Sequence, residues 1–167
     1  FSAVRMAMAA ASVGLVCLAA DRRKKPAGIS ESPEARAAKR RETVKGGLCC
    51  GTVLAFASLL QQMGLVTTSA GKAAFITVMY ILLVPVVRFL FFREKNSPQV
   101  WIAVAIGVLG MDLLCMTESL RLTRGDTLVS ICALLFCGHI LCCDHFAGRG
   151  DPLRISALQF LTASLIA

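Results

Sequence analysis

Charge is what this 167-residue chain has least of. Asp, Glu, Lys and Arg make up only 17% of it, where a soluble globular domain carries about 25%. Apolar residues reach 56%, and the mean hydropathy is +0.71. That balance argues against a soluble domain and predicts an integral membrane protein. Strand-like alternation of apolar and polar residues is also missing from every apolar run. Backbone groups in lipid must pair within their own segment, so these runs are expected to be helices and the fold all-α.

Other absences exclude chemistry. The chain holds no phosphate-binding glycine loop, no serine-hydrolase elbow and no zinc-protease motif. Transport driven by ATP would therefore need another chain, and no cofactor or metal is expected. A signal peptide is a poor account of residues 1–20, because the basic cluster follows the apolar run instead of preceding it. The eight cysteines all lie inside or at the ends of apolar runs. Free cysteine packs as a small hydrophobe, so a disulfide framework is not expected.

What charge there is lies unevenly. The net charge is +8, yet half of the eighteen Lys and Arg fall in residues 22–45, between two apolar runs. That is a loop on the positive side of a membrane, not a groove for nucleic acid. Six apolar runs can be drawn, roughly 1–20, 46–66, 69–92, 99–116, 126–143 and 155–167. Loops after the first, third and fifth hold fourteen Lys and Arg, against four on the opposite side. The odd-numbered loops are thus predicted to be cytoplasmic. Trp101 would anchor the cytoplasmic entry of the fourth run. Within the connector, Ser32 and Pro33 suggest the start of a short surface helix. Gly47 and Gly51, four apart, suit close helix contact.

Residues 1–13, "FSAVRMAMAAASV", can be laid on residues 155–167, "ISALQFLTASLIA", with Ser2, Ala3 and Ala9 matching Ser156, Ala157 and Ala163. The two segments belong to the first and sixth runs, five steps apart in the series, so they should run in opposite directions. This points to two five-helix units of opposite orientation, an architecture of many secondary transporters.

The stretch "QQMGLVTTSAGKAAFITVMYILLVPVVRFLFFREK" resembles the third and fourth helices of EamA-type carriers of the drug/metabolite transporter superfamily. "GDTLVSICALLFCGHILCCDHFAGRGDPLRISALQFLTASLIA" resembles the start of their second repeat. The resemblance implies a fragment of a ten-helix carrier of two inverted five-helix repeats. Residues 1–116 would supply helices two to five of the first repeat, with a basic loop at 21–45. Residues 117–167 would begin the second. One helix would then precede Phe1, and about three would follow Ala167. Asp112 departs from the family pattern, which has an uncharged residue in "GMDLL". A multi-pass protein of the plasma (bacterial inner) membrane is implied, with a small-molecule substrate, a lipid bilayer around it and room for a homodimer.

Candidate site residues follow. Thr77 and Tyr80 are three apart on one helical face and could line an aqueous cavity, or instead bond to backbone and a neighbouring helix. Pro85 lacks an N–H and can kink its helix or free a carbonyl, a candidate gating element. Lys72 lies at a helix start, where a cation opposes the dipole. It needs a carboxylate, a carbonyl cluster or an anionic substrate to compensate. Gln61 and Gln62, one turn before the same outer mouth, could bind substrate or bridge helices. Asp112 is a candidate for coupling, by carrying a proton or pairing with Lys72, or is simply wet. His139 is a candidate substrate ligand. With Cys142 and Cys143 it shares a face on which a soft metal site is conceivable, but no second clustered group supports one. The function expected is secondary transport of a small metabolite or drug-like solute, amino acids included. The alternatives are a membrane-embedded enzyme using His139 and Asp144, or a structural subunit.

Overall fold

The computed structural model describes residues 2–23, 32–91, 93, 97–115 and 123–167. Those residues form six helices and no strand: α1 (Ser2–Arg23), α2 (Pro33–Leu65), α3 (Ala70–Phe91), α4 (Pro98–Cys115), α5 (Arg124–Ala147) and α6 (Pro152–Ile166). Four of them, α1, α2, α3 and α5, are long and apolar enough to cross a membrane, while α4 and α6 are shorter apolar helices. Large apolar side chains face outward: Leu15 on α1, Ile81 on α3, Ile102 and Ile106 on α4, Leu134 on α5 and Leu161 on α6 are all at least half exposed. A soluble monomer rarely leaves so much apolar surface bare, whereas lipid is its natural solvent. The chain is a polytopic helical membrane protein.

The clearest departure from expectation is α2. The connector was expected to hold a short surface helix of its own, and the apolar span to begin near residue 46. Instead one helix of 33 residues runs through both. Its start is as expected. Ser32 Oγ accepts from the Ala35 amide at 3.2 Å, and Pro33 takes the first helical position. No proline interrupts residues 34–65, and Gly46 and Gly47 are helical, with no room for a Cβ on either beside Phe146 and Leu158.

Two compact units can be told apart: residues 1–58 with 139–167, and residues 59–138. In the first, α1 packs along α6. Ser164 Oγ donates to the Ala3 carbonyl at 3.2 Å, and Cys17 Sγ to that of Leu153 at 3.5 Å, so the two helices run antiparallel. Glycines on α2 let other helices approach. A Cβ on Gly47 would overlap that of Leu158. One on Gly51 would lie 2.6 Å from Thr162 Cβ and 2.7 Å from the Gln159 carbonyl oxygen. Gly46 does the same toward Phe146 on α5. The α5–α6 turn is pinned to this helix: the Asp151 amide donates to Thr43 Oγ1 at 2.9 Å, and Asp151 Oδ1 caps α6 through the amides of Leu153 and Arg154. Cys17, Cys49, Cys50, Cys132, Cys137, Cys142 and Cys143 are free thiols.

The second unit comprises the end of α2, all of α3 and α4, and α5 up to Gly138. Here Phe89 on α3 meets Trp101 on α4 edge to face, with ring centroids 6.1 Å apart. α2 and α5 meet through Gly64 and Gly125. A Cβ on Gly125 would sit 2.5 Å from the Gly64 carbonyl oxygen, so only glycine fits this crossing.

Candidate functional site

In the second unit, three helix ends meet at a single carboxylate. α2 stops where the amides of Thr67 and Thr68 both turn back to the Gly64 carbonyl, each at 3.1 Å. Ser69 then caps α3, its Oγ accepting from the Lys72 amide at 3.2 Å. This places Lys72 in the first turn of α3. α5 starts with Thr123 as its cap, and Asp126 follows three residues later. The Asp126 amide donates to Thr123 Oγ1 at 3.2 Å, and the Thr123 amide donates back to Asp126 Oδ2 at 2.6 Å. This reciprocal pairing is a capping box with Asp in the place of Glu.

Asp126 does more than cap. Its Oδ2 accepts from Lys72 Nζ at 2.6 Å, and its Oδ1 accepts from Thr68 Oγ1. The pair is buried: side-chain exposure is 16% for Lys72 and 1% for Asp126. A carboxylate in such a place is tolerable only with its lone pairs filled, and here a cation, a hydroxyl and an amide fill them. The helix dipoles act unequally. A carboxylate is favoured at the start of α5, a cation disfavoured at the start of α3. Asp126 is the compensating group that Lys72 needs. Asp112, the other candidate partner, has its side chain outside the described residues.

Five residues beyond Lys72 on α3 comes Thr77. Thr77 is 8% exposed. Its Oγ1 donates to the Ala73 carbonyl at 2.7 Å and accepts from Gln61 Nε2 at 3.2 Å. Gln61 therefore bridges α2 to α3, while Gln62 is half-buried beside it. Tyr80 stacks at a tilt on Phe136 of α5, ring centroids 5.6 Å apart. Pro85 lies within α3, which continues past it to Phe91. So Lys72 joins Thr68 and Asp126, and Thr77 joins Gln61.

His139 belongs to the other unit. Its Nε2 lies 3.1 Å from Gln159 Oε1 on α6 and 3.5 Å from Cys143 Sγ. Asp144 is exposed on the same helix. Among the described residues, no group of three His, Cys, Asp or Glu side chains could hold a metal ion.

The profile of the EamA-like transporter family matches residues 1–116, which span α1 to α4. The chain belongs to this family. An uncharacterized transporter of Archaeoglobus fulgidus is 26% identical over 115 residues, covering 69% of this chain and 37% of that relative. The chain thus spans little more than a third of the curated relative's length. No solved structure matches. In this EamA-like chain the matched stretch contains Gln61, Gln62, Lys72, Thr77, Tyr80, Pro85 and Asp112. Asp126, the partner of Lys72, lies beyond it, as does His139.

Two residues of the cluster carried no weight in the sequence. Thr68 falls between the second and third apolar runs, and Asp126 is the first residue of the fifth. The signal for Asp126 was the Thr-x-x-Asp spacing from Thr123, a helix-start pattern in an otherwise weakly charged chain.

Proposed function

We propose that this chain is part of a secondary carrier that moves a small metabolite, amino acid or drug-like solute by alternating access. The observation that carries this is the buried Lys72–Asp126 pair. Ionisable residues in membrane helices are costly, and a helix that only anchors has no need of them. The family and the transporter name of the archaeal relative support the same reading.

In this reading Lys72, Thr77, Tyr80, Gln61, Gln62 and His139 contact substrate. Asp112 and Pro85 serve coupling or gating. A substrate gradient or proton exchange supplies the driving force, and the plasma membrane is the site of action. Asp126 joins the set as the group that holds Lys72 while no substrate does.

The test is saturable uptake by the full-length protein in liposomes, over a panel of amino acids and related neutral, anionic and cationic metabolites. Lys72→Gln should lower flux at least tenfold for any solute that the wild type carries. Absence of saturable flux across the whole panel would refute the carrier reading.

A further inference from the structure

The first three turns of α2 are unusual in what they leave unpaired. The twenty residues 46–65 are enough, at about 1.5 Å each, to cross a hydrocarbon core of roughly 30 Å. Residues 33–45 therefore extend the same helix beyond the lipid, on the side that the charge bias makes cytoplasmic. They carry Arg36, Lys39, Arg40, Arg41 and Lys45 against only Glu34 and Glu42. Glu42 is taken by Lys45 at 3.2 Å. Among the described residues, no carboxylate pairs with Arg36, Arg40 or Arg41, and all three are exposed. They stand at the positive end of the helix dipole, which adds to their repulsion instead of relieving it.

One turn beyond Arg40, the same helix is held by its neighbours. Thr43 is buried, and it holds the α5–α6 turn through the Asp151 amide. The exposed part is shaped. Arg36, Arg40, Arg41 and Lys45 recur at helical spacing around a groove of about 810 Å3, with Ala37 and Val44 among its lining. Cations beside apolar carbons, at the point where a helix leaves a bilayer, match an anionic headgroup with its glycerol end.

We propose that this groove binds the headgroup of an anionic phospholipid of the cytoplasmic leaflet. Arg36, Arg40 and Arg41 contact the phosphate, and Ala37 and Val44 contact the lipid backbone. Planar guanidinium groups suit phosphate oxygens, which they can hold by two hydrogen bonds at once. Juxtamembrane cations act additively, each changing affinity by about fivefold.

The test uses the full-length protein in detergent, with native mass spectrometry of bound phosphatidylglycerol and phosphatidylcholine. The wild type should retain phosphatidylglycerol at least tenfold more strongly, and the preference should shrink in 1 M salt. Arg36→Gln, Arg40→Gln and Arg41→Gln together should lower phosphatidylglycerol affinity on the order of a hundredfold. Helix content should stay unchanged. Should the triple variant not fold, Arg40→Gln alone should show the single fivefold step. Replacing the three by Lys should keep most of the preference. Equal retention of the two lipids would overturn the proposal. So would a preference that survives the Gln substitutions, or equally strong binding of soluble glycerol phosphate, which would make the site one for a free phosphate compound. None of these outcomes depends on transport.

Discussion

The two units of this chain differ in how each is packed within itself. In residues 1–58 with 139–167, helices approach through bare backbone: Gly46, Gly47 and Gly51 admit Phe146, Leu158 and Thr162, and the buried residues around them are small, such as Cys50, Ala55 and Ala163. This is the ordinary grammar of membrane helices, in which van der Waals packing replaces a hydrophobic drive. In residues 59–138 a glycine crossing also occurs, at Gly64 and Gly125. Beside it sits a cation, a carboxylate and two threonines.

The largest effect expected on that contrast comes from Asp126. Asp126→Ala leaves Lys72 buried without its carboxylate, and removing one partner of a buried pair costs about 3–5 kcal/mol. Lys72→Met should cost less, on the order of 2 kcal/mol, because Asp126 keeps Thr68, Thr123 and the α5 dipole. Thermal melts of the two full-length variants in detergent check the order. If Lys72→Met proves the more damaging, Asp126 is not the centre of the cluster.

Next in size is the packing of the first unit. Gly51→Val forces atoms into Thr162 and the Gln159 backbone and should cost about 1–3 kcal/mol. Gly14→Ala is the matching control. Nothing lies within 4 Å of the added Cβ, so the better helix former should leave stability unchanged or raise it by up to about 1 kcal/mol. Equal melting temperatures for the two variants would remove the case for close backbone contact.

The smallest effect belongs to the bridge from α2 to α3. Gln61→Leu loses the bond to Thr77 and should cost only about 0.6 kcal/mol, as interhelical hydrogen bonds in membranes commonly do. A much larger loss would mean that Gln61 supports more than this bridge.

Much of the fold was legible in the sequence, and the reasons are local. Apolar runs flanked by charge fixed the helices, Ser32 and Pro33 marked the start of α2, and the spacing of Gly47 and Gly51 announced a close contact. Less legible was whatever depends on a distant partner. Gly46 and Gly47 of α2 meet Phe146 and Leu158, residues a hundred or more positions away. Lys72 clearly needed a counter-charge, but Asp126 lies 54 residues along the chain, and no periodicity links them. His139 meets Gln159 twenty residues along the chain, on a different helix.

Asp126 also binds separate events together. Its carboxylate starts α5 by holding the Thr123 amide, clasps the α2–α3 turn through Thr68 and neutralises the first turn of α3. Adding a proton to it, or drawing Lys72 elsewhere, would weaken all of these at the same moment. Three segment ends would loosen together, so a change of one charge would be felt as a rearrangement of backbone.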